Sequence, residues 1–252
     1  MFLVIAPPLH KLITRHGSPL RASGLAFAAV VALSAASTDS GAVEATGYLV
    51  VTTDYVHRGV TQSDGHAAVQ LGADLSFDSG FYAGVWASTV DIDNGPTRHR
   101  DTEISYFAGY GQGVSDKWML GGNIVAYTYP GTEGDVDYDY VEYSVVANYD
   151  DRFWVEYAYS PDLYDTGEHT HNLDLYGEWP LPAQLVLGAG AGFYDVSRPS
   201  RDDYTYWQLG LTRDLGRFSI DLRYHDTNRY VPVVSTPDRA EQRLVLSLRL
   251  VF

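Results

Sequence analysis

From residue 47 onward, hydrophobic and polar residues alternate along segments of about ten residues, separated by clusters of Gly, Pro, Asn and Asp. Side chains on a strand point alternately to its two faces, so each segment has one apolar and one polar face. The apolar faces include Val69, Leu71, Ala73, Leu75 and Phe77 in the second segment, Val141, Tyr143, Val145, Ala147 and Tyr149 in the sixth, and Leu185, Leu187, Ala189, Ala191 and Phe193 in the ninth. Opposite them lie Gln70, Gly72, Asp74 and Ser76, then Tyr140, Glu142, Ser144 and Asn148, then Gln184, Gly188 and Gly190. Short turns at 78–80, 111–116, 150–152, 180–182 and 214–216 interleave with longer polar loops near 61–67, 92–101, 130–138, 160–169, 195–203 and 227–240. Five short turns and six long loops predict about twelve antiparallel strands in an up-and-down meander. The expected fold is an all-β transmembrane barrel over residues 46–252, with both chain ends on the short-turn, periplasmic side.

The ends of the apolar faces separate this fold from a water-soluble sandwich, whose strands alternate in the same way. Beside the short turns stand Phe77, Phe81, Tyr110, Trp118, Tyr149, Phe153, Trp179, Phe218 and Phe252, and toward the long loops stand Tyr159, Phe193, Trp207 and Tyr224. Two aromatic levels are expected where a barrel crosses two membrane interfaces. The last strand places Leu244, Leu246, Leu248, Leu250 and Phe252 on one face and Arg243, Ser247 and Arg249 on the other. It resembles the closing strand of bacterial outer-membrane barrels, an ending that implies recognition by the barrel-assembly machinery during insertion.

The amino-terminal stretch carries Lys11, Arg15 and Arg21 ahead of an apolar run from Gly24 to Ala36, and reads as a signal peptide. That run is shorter than the roughly 20 residues of a spanning helix. Cleavage is expected near Ala45, with Ala36 as the alternative, giving a leader of 1–45. There is no cysteine, so stability must come from a large core or from full closure of the sheet. Removing the leader leaves 14 Lys and Arg against 30 Asp and Glu, a net charge of −16, which argues against nucleic acid as a partner. The 20 tyrosines suit rings held at a lipid–water boundary.

Two stretches, Thr52-Thr53-Asp54-Tyr55-Val56-His57-Arg58-Gly59-Val60-Thr61-Gln62-Ser63 and Ser79-Gly80-Phe81-Tyr82-Ala83-Gly84-Val85-Trp86-Ala87-Ser88, resemble the proteobacterial Gcw_chp family, also described as TorF-type porins. Thr53 and His57 depart from the usual Ser and aromatic of that pattern. The resemblance implies a porin-like outer-membrane protein of a Gram-negative bacterium and supplies no substrate. By parity, Asp54 and Arg58 are expected to face the lumen from the first strand, as a salt-bridged strand end or as pore lining, with Gly59 letting the strand bend at its rim.

The inward charges are uneven. Acids dominate the first eight strands, with Asp54, Asp74, Glu103, Glu142, Glu156, Asp174 and Glu178 expected in the lumen. Arg217, Arg223, Arg243 and Arg249 come from the last two strands, with Asp221 the exception, and Arg58 neighbours them across the closure. Opposed charge across a water-filled lumen would orient polar solutes. In a narrower barrel the same charges would pair and fill the interior. Loop carboxylates, including Asp91, Glu133, Asp135, Asp162, Asp165 and Glu168, lack any specific metal spacing, and His169 and His171 are too few for a site, so no metal, cofactor or catalytic residue is assigned. The expected function is a channel for passive passage of small polar solutes or ions, without enzymatic activity. A non-conducting barrel with ligand-binding outer loops is second, and a lipid-modifying enzyme third. The expected partners are outer-membrane lipid and lipopolysaccharide; a homo-oligomer is left open, since no self-complementary face is identified.

Overall fold

The computed structural model describes residues 43–93, 98–132, 137–196, 202–232 and 234–252, so residues 1–42 of the expected leader, with Ala36, and Glu133 and Asp135, lie outside the described residues. Twelve long strands form one closed antiparallel barrel. In chain order they are β1 (Val43–Thr52), β4 (Ala68–Phe77), β5 (Phe81–Asp93), β6 (Arg98–Gly113), β7 (Trp118–Thr128), β8 (Tyr140–Tyr149), β9 (Phe153–Ser160), β10 (Thr170–Leu181), β11 (Leu185–Val196), β12 (Asp202–Leu215), β13 (Phe218–Thr227) and β14 (Arg243–Val251). Between β1 and β4 lie the two short strands β2 (Val56–His57) and β3 (Val60–Thr61), which pair only with each other. A single 3-10 turn at Pro237–Ala240 precedes β14.

The meander closes because β1 pairs with β4 on one edge and with β14 on the other, from Tyr48↔Val251 to Thr52↔Ser247. Closure gives every wall strand two neighbours, the condition for a sheet to cross hydrocarbon. Phe252 seals the seam. Its amide donates to the Gly47 carbonyl and its carbonyl accepts from the Gly47 amide, both at 2.9 Å, and its ring lies where a Cβ on Gly47 would be, 2.5 Å away.

The outer wall carries the alternating apolar residues: Leu71, Val145, Leu175, Leu209, Leu222 and Leu244 are each exposed. A continuous exposed belt of Leu, Val and aromatics over a polar interior is the surface of a transmembrane barrel. All nine expected short-turn aromatics lie on this wall, several as neighbours across strands: Phe81 and Tyr110 at 4.9 Å between ring centroids, Trp118 and Tyr149 at 4.9 Å, and Phe153 and Trp179 at 5.8 Å.

Two boundaries differ from the sequence reading. Within the segments read as long loops at 92–101 and 195–203, the described residues are strand, since β5 and β6 pair out to Asp93↔Arg98 and β11 and β12 out to Val196↔Asp202. Polar composition marks where the wall leaves the membrane, but it does not stop a backbone ladder. The opposite correction applies to the first strand. β1 ends at Thr52, and the family-like motif that follows it belongs to no part of the wall.

Candidate functional site

After Thr52 the chain stays tied to the wall for one more residue, with the Thr53 amide donating to the Leu246 carbonyl at 3.0 Å, and then turns into the lumen. Residues 54–63 fold there as a hairpin. Val56↔Thr61 and His57↔Val60 form its ladder, leaving Arg58 and Gly59 as a two-residue turn with φ of +47° and +78°. Both central residues left-handed is the type I′ geometry that matches hairpin twist. Glycine is required at position 59 for a second reason: an added Cβ would sit 2.4 Å from Thr227 Cγ2 and 2.7 Å from Tyr206 Cβ, because the tip is pressed against the far wall.

The hairpin is held from base to tip. At its base Asp54 accepts hydrogen bonds from the hydroxyls of Thr61 and Ser63, Ser63 Oγ also accepts from the Tyr55 amide at 2.8 Å, and Arg243 Nε lies 3.8 Å from the Asp54 carboxylate. Tyr55 is fully buried, edge-on to Trp86 of β5 at 5.5 Å, and its hydroxyl donates to Glu103 of β6 at 3.4 Å. The Gln62 carbonyl accepts from the Asp91 amide at 2.8 Å. At the tip Arg58 Nη1 and Nη2 each donate to one oxygen of Glu142 on β8, both at 2.8 Å, and Arg58 Cζ stands 5.2 Å from the Tyr194 ring of β11. Burial, and then the adjacent Arg58 charge, hold His57 well below the usual imidazole range, so the hairpin carries it neutral.

Below and around the hairpin the wall is polar and rich in rings. Arg223 pairs with Asp221 at 2.9 Å, two residues away on the same strand, with both side chains almost fully buried. Arg249 lies 4.6 Å above the Tyr48 ring, beside the seam. Asp174 accepts from Tyr206 Oη and from Asn172 Nδ2. Glu178 accepts from Tyr176 Oη at 3.4 Å, and Asp74 and Glu103 are buried on the inner face. Trp86, Glu103 and Arg223 are at most 1% exposed, so no water passage runs beside them in this conformation. Asn123, Glu156, Asp174, Glu178 and Arg249 keep partial exposure, marking accessible space on the β7 to β10 side and toward the short-turn end.

The expected lumen charges are therefore all in or near the interior, apart from Arg217, which is exposed at the turn between β12 and β13. Their partners differ from the expectation. Asp54 and Arg58 do not line β1, and Arg58 leaves the basic seam to join the acidic wall at Glu142. Gly59 is a hairpin tip and not a rim bend. Sequence reasoning also missed the interior tyrosines. Tyr48, Tyr55, Tyr82, Tyr127, Tyr176, Tyr194, Tyr204 and Tyr206 are buried, whereas the boundary role fits exposed rings such as Tyr106, Tyr110, Tyr143 and Tyr157. The signal was present in parity: inward glycines accept these rings, with Gly72 under Tyr48, Gly109 under Tyr82 and Gly192 under Tyr206, each leaving under 2.5 Å to an added Cβ. The glycines of β11 thus make room for inward rings. His169 and His171 have ring centroids 5.3 Å apart, and among the described residues no group of three or more metal-ligating side chains forms.

A model of the family described as "Bacterial protein of unknown function (Gcw_chp)" matches residues 35–249, most of the chain. The chain belongs to the Gcw_chp family. No curated protein matches this Gcw_chp protein in sequence. Among solved structures, the NanC porin superposes with a TM-score of 0.52 at 10% identity, covering 82% of this chain and 98% of that one. The KdgM porin gives a TM-score of 0.49 at 10% identity, over 82% and 99% of the two chains. At this identity the likeness is one of fold: a Gcw_chp chain is built as a closed porin-like barrel. Of the two stretches that carried the family resemblance in the sequence, the first forms the hairpin inside it and the second begins the wall strand β5.

Proposed function

We propose that this Gcw_chp protein is an outer-membrane channel of a Gram-negative bacterium, passing small polar solutes or ions, and that the observed conformation is obstructed by the internal hairpin. One observation carries the reading. The barrel encloses carboxylates, guanidiniums, amides and tyrosines where a purely structural barrel could hold apolar side chains at lower desolvation cost. A polar interior in an apolar-walled barrel is suited to solute passage. Obstruction by the hairpin is reversible on this reading because its contacts with the wall are side-chain and single backbone bonds, while its own ladder is only two residue pairs and is not continuous with the barrel.

The test is planar-bilayer conductance of the refolded protein and of a variant with residues 54–63 replaced by a short glycine linker. The hairpin-less barrel should conduct several-fold more than the parent. Silence from both, with folding verified by heat-modifiable gel mobility, would remove the channel reading and favour a barrel that acts through its outer loops.

A further inference from the structure

The guanidinium of Arg58 rests in a receptor built wholly from the wall. Glu142 grips it with two parallel 2.8 Å bonds, and the Tyr194 ring faces it at 5.2 Å. Asp174 on β10 and Glu156 on β9 are direct register partners with inward side chains, and Glu156 in turn pairs in register with Val146 of β8, the strand that carries Glu142. A carboxylate fork with an aromatic face is how proteins hold guanidinium groups. Of these carboxyl groups Glu142 makes the direct contact, and Glu156 and Asp174 stand on the neighbouring strands with inward side chains.

The occupant is delivered in the manner of a ligand. Arg58 sits at φ +47° in a position that Gly, Asn or Asp fills more easily, so the chain accepts backbone strain to place a guanidinium there. Its side chain is nine-tenths buried at the end of a hairpin with two ladder pairs. Glu156 and Asp174 keep partial exposure, so the receptor adjoins accessible space on its short-turn side. Tyr206, which bonds Asp174, also packs against the hairpin tip at Gly59, so the receptor and the hairpin share a wall residue.

We propose that this receptor, formed by Glu142, Glu156, Asp174 and Tyr194, is the selectivity site for small cationic solutes bearing a guanidinium or primary amine, and that Arg58 is a tethered occupant which such a solute displaces. The proposal rests on the channel reading above. A solute cation that takes the Glu142 fork satisfies the buried carboxylate while Arg58 withdraws, so opening need not leave a buried charge unpaired. Anionic solutes meet the same carboxylates with repulsion. The outcome is a channel that admits cations by replacing its own.

Permeability of ethylguanidinium relative to urea, its neutral planar counterpart, tests this in planar bilayers and proteoliposomes at constant ionic strength. Wild-type protein should favour ethylguanidinium by about tenfold or more, and millimolar ethylguanidinium should raise its conductance. Arg58→Asn, which keeps a residue suited to the turn, should conduct without that trigger and retain the preference. Glu142→Gln, and separately the double variant Glu156→Gln with Asp174→Asn, should conduct with the preference reduced toward unity. A conducting Arg58→Asn channel that shows no preference, or one whose preference survives both neutralisations, overturns the cation site and leaves the channel reading standing. If no variant conducts, including the one lacking the hairpin, both readings fall together.

Discussion

Arg58 and Gly59 show how much one turn can decide. A type I′ turn was not evident in Val56-His57-Arg58-Gly59-Val60, because the parity of that stretch is also that of a strand running on to the rim. Thr53 precedes the hairpin and Gly59 forms its tip, but only contact with the far wall makes the tip's direction decidable. Gly59→Ala should loosen the hairpin, since a left-handed alanine costs about 1–2 kcal/mol before any clash with Thr227 and Tyr206 is added. Arg58→Asn relieves turn strain but strands Glu142, and breaking a buried pair costs about 3–5 kcal/mol, so loosening should win. Thiol labelling reads both effects. The chain has no cysteine, so Val60→Cys supplies a single probe at a buried hairpin position, and its labelling rate should rise in either variant. Unchanged rates would mean that the wall holds the hairpin without its tip.

At the scale of elements, the wall strands were legible because two-residue periodicity is a property of each segment alone. Leu175 faces outward at mid-strand in β10 and is half exposed, so Leu175→Arg should cost about 2–4 kcal/mol of stability in lipid, seen as a lower denaturant midpoint. The seam is the more demanding element. Phe252 covers Gly47 and joins it by two hydrogen bonds, so Phe252→Ala should lower the yield of the heat-modifiable folded form more than Leu175→Ala does. The amino-terminal edge bears on leader removal. β1 pairs from Val43, with Val43↔Phe77, Glu44↔Ser76 and Ala45↔Leu75. A cut after Ala45 would delete those three pairs, whereas a cut after Ala36 leaves them, so the mature protein is expected to begin at Ser37. Mass spectrometry of protein taken from outer membranes decides between the two.

For the whole molecule, a chain beginning at Ser37 keeps 14 Lys and Arg against 32 Asp and Glu, a net charge of −18, and with the inward carboxylates this should make residual conductance cation-selective, visible as reversal potentials in asymmetric salt. Neutralising Arg223, Arg243 and Arg249 together should strengthen that selectivity; unchanged potentials would show that the seam cations do not line the path. The sequence by itself determined the barrel, its strand number, the apolar belt and the closing strand, since each follows from periodicity and turn chemistry acting locally. Strand extent was less legible, because polar residues can continue a ladder beyond the lipid. Only the tertiary structure decided what fills the lumen. Whether a Tyr beside an inward Gly lies on the wall, whether Asp54 begins a hairpin or ends a strand, and which carboxylate Arg58 meets all depend on contacts between elements, 84 positions apart in the chain for Arg58 and Glu142. Those distances are set when β1 closes on β14, and no local pattern encodes the far wall that a side chain then reaches.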